Sequence, residues 1–349
     1  MSLTTVTTNL VEQQWDNDFF AAYVRANRFK RYMGTATNSI IQLKEQLGSK
    51  PGDRIHIPLI SELTGAGQTG DGLLEGNEEA LGQYEDAVTV STLRHAVAVT
   101  DNQQQFTGID LRIAAKEQLQ NWAMKKLRTS IINALGSTDG TTAYASASEA
   151  NKDAFLVANA DRVVFGDGTT AAAYTDHSAD LALVTSAMTM SKEIVSLMKA
   201  KAENASPIIR PVTVGEDSEN YVLFVGSGAF RDLKADLAQT LQNAQERGDG
   251  NPLFNDGDLM YDGVVIRKIQ EIPATGTVGA SSARLEPIYL CGAQALAVAW
   301  AQRTKSTTDT RDYGFVKGVG IHEMRGVKKM FFNSKQHGVV TGYVAALAV

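Results

Sequence analysis

A few residue groups in this 349-residue chain have the types and spacing from which chemistry is built, and each can be held against what that chemistry demands. Gly65-Ala-Gly-Gln-Thr-Gly has the letter pattern of a dinucleotide fingerprint, in which glycines let the backbone approach a pyrophosphate at a helix N-terminus. The continuation, Asp71-Gly-Leu-Leu-Glu-Gly-Asn-Glu-Glu, brings two more glycines and acidic side chains that repel phosphate, where an apolar helix is required. A turn-rich loop is the better reading. His322-Glu323 opens like a zinc-protease helix, but position 326, where the second histidine must stand, is Gly326. His56, His95, His177 and His337 are scattered without ligand spacing. Asn255-Asp-Gly-Asp-Leu-Met-Tyr-Asp hints at calcium, yet Met260 and Tyr261 occupy the places of an oxygen donor and an obligatory glycine. In Val225-Gly-Ser-Gly, Val225 replaces the first glycine of a nucleophile elbow, so Ser227 reads as part of a strand-to-helix turn. Cys291, the single cysteine, lies in the apolar run Ile288-Tyr-Leu-Cys and reads as a small buried hydrophobe. The expectation is no catalytic residue, no metal and no cofactor.

The elements that would position such groups are more informative. Residues 1–50 begin Thr-rich, then show helical patterns through Phe19, Phe20, Tyr23 and Val24 and through Ile40, Ile41, Leu43 and Leu47, a thin core that reads as an arm. Arg54-Ile-His-Ile-Pro-Leu-Ile and the region 86–100 read as strands flanking a Gly-rich, acidic tip, a long hairpin-like excursion. Residues 107–135 carry two adjacent helical stripes, Ile109, Ile113, Met124, Leu127, Ile131 and Leu135 beside Leu111, Ala115, Leu119 and Trp122. With Thr107 or Asp110 as cap and Gly136 as stop, this predicts a rod of about 40 Å at ~1.5 Å per residue. Residues 137–177, rich in Ser, Thr, Ala and Gly, read as a loop-rich insertion. A helix is expected through Leu181, Val184, Met188, Val195 and Met198. From 208 the pattern is mixed: strands at 221–225, 261–269, 287–291, 315–332 and 338–349, a helix after Gly226, and a short apolar helix over 293–303. The fold class is α+β.

Composition narrows the function. A net charge of −6 argues against wrapping nucleic acid over the whole surface, which needs clustered Lys and Arg. One cysteine leaves no intrachain disulfide. No apolar run reaches the ~18 residues of a membrane span, and the start, Met1-Ser-Leu-Thr-Thr-Val, lacks the basic and apolar regions of a signal peptide, so a cytoplasmic site of synthesis is expected.

The order of parts, arm, extended loop, long helix and α/β body, resembles the major capsid proteins of tailed phages with the Hong Kong 97-type fold. Particular stretches are similar to the branch related to coliphage N-four: Gly52-Asp-Arg-Ile, Gly70-Asp-Gly-Leu-Leu-Glu-Gly-Asn-Glu-Glu-Ala-Leu, Tyr84-Glu-Asp-Ala-Val-Thr-Val, Arg94-His-Ala-Val, Leu119-Gln-Asn-Trp, Asn251-Pro-Leu-Phe, Asp312-Tyr-Gly-Phe and Gly326-Val-Lys-Lys-Met-Phe-Phe. The resemblance implies an N-terminal arm at 1–50, an extended loop at 51–102 reaching over a neighbouring subunit, and a peripheral domain with a spine helix at 103–204. It further implies an axial domain at 205–310 and C-terminal strands at 311–349 returning to the peripheral domain. Gly65, Gly67, Gly70, Gly72 and Glu75 become the expected assembly loop. Lys116, Lys125, Lys126 and Arg128 become candidate inner-face groups touching packaged DNA without reading its sequence. The implied partners are copies of the chain itself, scaffolding and portal proteins and a decoration protein, with no membrane. Two rivals stand beside this: a compartment shell of the same fold resembling encapsulins, and a nucleotide-binding enzyme using Gly65 to Gly70.

Overall fold

The computed structural model describes residues 28–45, 52–60, 83–108, 110–169, 172–214, 218–237 and 259–346, with positions 67–69, 75, 78 and 79. The expected helix through Phe19 to Val24, the Asn255 to Asp258 stretch and Asn251-Pro-Leu-Phe lie outside the described residues.

Two sheets carry the fold. The first contains β1 (Met33–Gly34), β2 (Ile41–Lys44), β5 (Ser91–Thr100), β12 (Leu296–Arg311) and β13 (Val316–Lys329), in the order β1-β2-β12-β13-β5. β12 and β13 form a long antiparallel hairpin, and β5 lies along β13 with Arg94 opposite His322 and Ala98 opposite Gly318. The second sheet runs β6 (Val163–Phe165), β16 (Val339–Ala345), β11 (Leu285–Cys291), β8 (Ser218–Val225), β10 (Val264–Lys268), β9 (Leu259–Tyr261), with β7 (Val212–Val214) also on β8. A separate hairpin pairs β3 (Arg54–Ile60) with β4 (Gln83–Thr89), and a small one pairs β14 (Phe331–Phe332) with β15 (Lys335–Gln336).

The helices are α1 (Asp101–Phe106), α2 (Leu111–Gly136), α3 (Glu149–Ala158), α4 (His177–Ala182), α5 (Lys192–Asn204) and α6 (Ser227–Asp236). Asp110 caps α2: its Oδ1 accepts from the backbone N–H of Arg112 (2.9 Å) and Ile113 (3.2 Å), two of the donors a helix start leaves unpaired. The buried stripe of α2 is Ala115, Leu119, Ala123, Leu127, Ile131 and Leu135, spaced by four, which fits one helix face. Ile113 of the expected stripe is 57 % exposed.

Strand alternation divides the second sheet between two cores. Val222, Phe224, Tyr289, Cys291 and Val339 pack with α2, Phe29, Ile40 and Ile41. Their neighbours Leu223, Val225, Ile288, Leu290 and Val340 pack with Ile194, Val195 and Met198 of α5 and Ala229 and Leu233 of α6. The sheet is therefore the middle layer of three, buried on both faces, which is why β11 has no exposed residue.

Several expectations are corrected here. Residues 293–303 contain no helix; Leu296 onward is strand β12, whose first five residues are buried on both faces, and a continuous apolar run of that kind cannot be told from a helix by periodicity. The described part of the Ile40 to Leu47 stretch, residues 40–45, is likewise not helical; Ile41–Lys44 is β2, lying parallel to β12. The helix expected from Leu181 to Met198 is two helices, because the chain between them crosses to β16, with Thr189 bridging to Ala345 and the Ala345 N–H donating to the Met188 carbonyl. Residues 137–177 carry regular elements among their loops: α3 and β6, and β6 extends the second sheet by pairing with β16. Buried Arg162 fastens this segment by donating to the carbonyls of Gln336 and Pro207. Sheet membership also crosses the expected partition. β5 of the expected loop span and β12 of the expected axial span both belong to the sheet of β13, whereas β16 joins the other sheet.

Candidate assembly surfaces

The β3–β4 hairpin is held at its root. Asp86, buried in β4, accepts from the Phe331 N–H at Oδ2 (2.9 Å) and from its neighbour Ala87 N–H at Oδ1 (2.9 Å), and its carboxylate pairs with the Lys328 ammonium. Ile55, Ile57 and Val88 bury against Ala297, Ala299, Met330 and Phe332. At Gly326 a Cβ would stand 2.1 Å from the Thr89 carbonyl oxygen, so only glycine lets β13 approach the root this closely. Farther out, His56, Tyr84 and Glu85 are exposed. Of the expected assembly loop, Gly67 is exposed with φ +68, a conformation that favours glycine, and Glu75 is exposed in a turn. Gly65, Gly70 and Gly72 lie outside the described residues.

The basic residues of α2 separate. Lys125 and Lys126 are exposed, and Lys116 is half-buried with a partner of its own. Arg128 faces the body, where it pairs with Glu271 at 3.1 Å, and Arg28 reaches the same carboxylate at 3.6 Å. Arg128 thus forms an ion pair that ties α2 to the chain after β10.

The groups weighed for chemistry have structural employment. Gly226-Ser-Gly starts α6, and the buried Glu286 carboxylate caps it, accepting from the Ala229 N–H at 3.0 Å while pairing with Arg284 at 3.2 Å. A Cβ at Gly228 would lie 2.7 Å from Glu286 Oε1, so the glycines make room for this cap. His322 and Glu323 point to opposite faces of β13, His322 outward and Glu323 into a buried contact with Thr304 (2.8 Å) and Arg325 (2.7 Å). Burial raises the Glu323 carboxyl, partly offset by Arg325. Cys291 is fully buried, and burial pushes its thiol up, away from reactivity. His177 sits between the hydroxyls of Tyr144 (3.2 Å) and Tyr343 (3.3 Å), its charged form disfavoured by burial. His337 is pushed down to about 4 by burial and by Arg162 and Arg210.

Sequence reasoning missed Lys329. It is 1 % exposed, with Nζ donating to the Leu135 carbonyl at the end of α2 (3.1 Å) and to Gln336 Oε1 (3.2 Å), between the rings of Phe155 and Phe331. Burial pushes its ammonium down to about 7. In Gly326-Val-Lys-Lys-Met, strand alternation puts Lys328 and Lys329 on opposite faces, which was the one available signal.

Among the described residues these arrangements are a pinned projecting hairpin, a long helix and a layered body with buried polar clusters such as Glu286–Arg284 and Glu323–Arg325. The phage capsid protein family profile matches residues 4–346. The chain is 27 % identical over 367 residues to the major capsid protein of Pseudomonas phage KPP25, covering 97 % of this chain and 96 % of that protein. Among solved structures, the capsid of cyanophage Pam1 superposes with a TM-score of 0.86 at 40 % identity over 100 % of both chains. The capsid of Ralstonia phage GP4 shares the fold, with a TM-score of 0.76 at 24 % identity over 92 % of each. The chain belongs to the phage capsid protein family and is a major capsid protein of the Hong Kong 97-type fold, a subunit of the icosahedral head shell.

Proposed function

We propose that this subunit closes the shell by reaching across its neighbours, as hexamers and pentamers around double-stranded DNA, and that it acts by association alone, without catalysis. The observation that carries this reading is the β3–β4 hairpin, anchored by Asp86 and Gly326 at its root while its described outer residues, such as His56, Tyr84 and Glu85, are exposed. Heterologous contacts of this kind generate rings, and extended parts bury area that a monomer core cannot.

In this reading residues 1–50 are the arm, the hairpin from 51 to Thr89 is the extended loop, and α2 is the spine of a peripheral unit made with β5, β12 and β13. The second sheet with α5 and α6 contributes the axial unit. Scaffolding and portal proteins are the assembly partners, with a decoration protein on the outer surface. Lys116, Lys125 and Lys126 meet packaged DNA as charge alone. The stretches shared with the coliphage N-four branch favour that branch.

Deleting residues 65–76, or Gly70→Val, is expected to leave the subunit folded by circular dichroism and to eliminate particles in sedimentation. Particles of normal yield and size from the deletion variant would overturn the clasping role.

A further inference from the structure

The second sheet ends at β6, a strand of three residues, Val163-Val-Phe, each of them buried. A terminal strand leaves one row of backbone groups without a strand partner, and such a row is a template for a strand of another molecule. β6 lies parallel to β16, with Val163 beside Thr341 and Phe165 beside Tyr343. The Gly166 N–H donates to the Tyr343 carbonyl at 2.8 Å, so Gly166 and Val164 turn their backbone groups toward β16. By alternation, Val163 and Phe165 turn theirs to the open edge.

Both outward carbonyls are occupied from within the chain. The Phe165 carbonyl accepts from the Gly168 N–H at 3.2 Å, in a turn where Gly168 has φ +80 and sits against Leu197 of α5. The Val163 carbonyl accepts from Lys201 Nζ of α5 at 3.0 Å and from the Tyr174 hydroxyl at 3.5 Å. Lys201 Nζ also donates to the Ala160 carbonyl at 3.3 Å and to the Tyr174 hydroxyl at 3.5 Å, so all three N–H donors of the ammonium serve this edge. The ammonium lies 5.2 Å from the centre of the Tyr174 ring.

Tyr174 is held in place for this contact. It stands at φ +55, a strained conformation for a bulky side chain. The buried Asp180 carboxylate fixes it there, accepting from the Ala173 N–H at 2.9 Å and the Tyr174 N–H at 2.8 Å, and the ring packs on Phe165 at 5.8 Å between centroids. Behind the edge stands apolar sequence. β16 is Val339-Val-Thr-Gly-Tyr-Val-Ala, seven buried residues without a charge or a proline, and Val-Val-Phe of β6 continues that character. Uncharged strands of this kind pair with copies of themselves when an edge is open. Shell assembly gathers many copies, which makes such a pairing a competitor of the intended contacts.

We propose that Lys201 and Tyr174 form a lock on the β6 edge, an autoinhibitory contact that keeps this sheet from adding a strand of a second copy and leaves the shell contacts as the route by which subunits join. The second half of this rests on the shell-subunit reading above; the blocked pairing is a property of the free chain.

The test uses the full chain with Lys201→Met and Tyr174→Phe together, which removes the donors and keeps the apolar bulk. Circular dichroism and urea unfolding check that the variant is folded. The expected result is an about tenfold rise in thioflavin T fluorescence over wild type, with an infrared band of intermolecular β-sheet and a matching loss of soluble subunit in sedimentation. Tyr174→Phe alone, the milder change, should give a smaller rise in the same direction and carries the test if the double variant does not fold. Lys201→Arg, which keeps N–H donors at the edge, should stay near wild type. Leu127→Ala in α2 weakens the fold while leaving β6 untouched, and so controls for a general folding defect. Variants that stay soluble and thioflavin-negative would overturn the lock, as would an equal rise from Leu127→Ala or from Lys201→Arg. Failure of the wild-type chain to form particles would strike the shell reading instead, since the fluorescence is read on unassembled subunit.

Discussion

At the scale of single residues, the polar groups inside this subunit work for its architecture. Lys329 is the clearest case, since its ammonium caps the carboxyl end of α2 yet sits where charge is disfavoured. In an unfolded chain a lysine titrates near 10.4. Between about pH 7 and about pH 10 the unfolded state therefore holds one proton more than the native state, and stability rises with pH across that window; below about 7 both states are charged and the slope vanishes. Lys329→Met should remove this rise, at a cost of about 1 kcal/mol for the Leu135 carbonyl left without its donor. Urea unfolding midpoints at pH 7 and 9.5 measure it; profiles of variant and wild type that stay parallel would refute the assignment. Little of this was legible beforehand. A lysine pair in a strand reads as solvated surface until the helix end and the two phenylalanines that enclose Lys329 are known, and those come from residues 135, 155 and 331.

At the scale of elements, legibility followed the number of faces an element buries. The α2 helix has one buried face and a capping aspartate, so its extent was readable to within a few residues. The strands β3, β8 and β11 were bounded by turn residues. Elements buried on both faces, such as the Ala-rich start of β12, carry no alternation, and the short β2 is ordered by pairing with β12, a partner more than 250 residues away. The structure also refines the α2 stripe. Leu127→Ala, at a site 1 % exposed, should cost about 2–5 kcal/mol, whereas Ile113→Ala at an exposed site should stay within about 0.5 kcal/mol. Thermal or urea unfolding of the two variants decides this, and comparable losses from both would mean that α2 packs with a different face.

At the scale of the whole molecule, the subunit joins a layered body to a projecting hairpin fastened at its root by Asp86 and Gly326. The long helix α2 and the strands of the β3–β4 hairpin were readable from the sequence because those stretches differ in composition and periodicity. The central claim is that the chain builds a closed shell. Electron microscopy of the purified protein, alone and with a co-expressed scaffolding protein, tests it most directly. Closed icosahedral shells, or flat sheets of hexamers, are the predicted result; a monomer or dimer under every condition would contradict it.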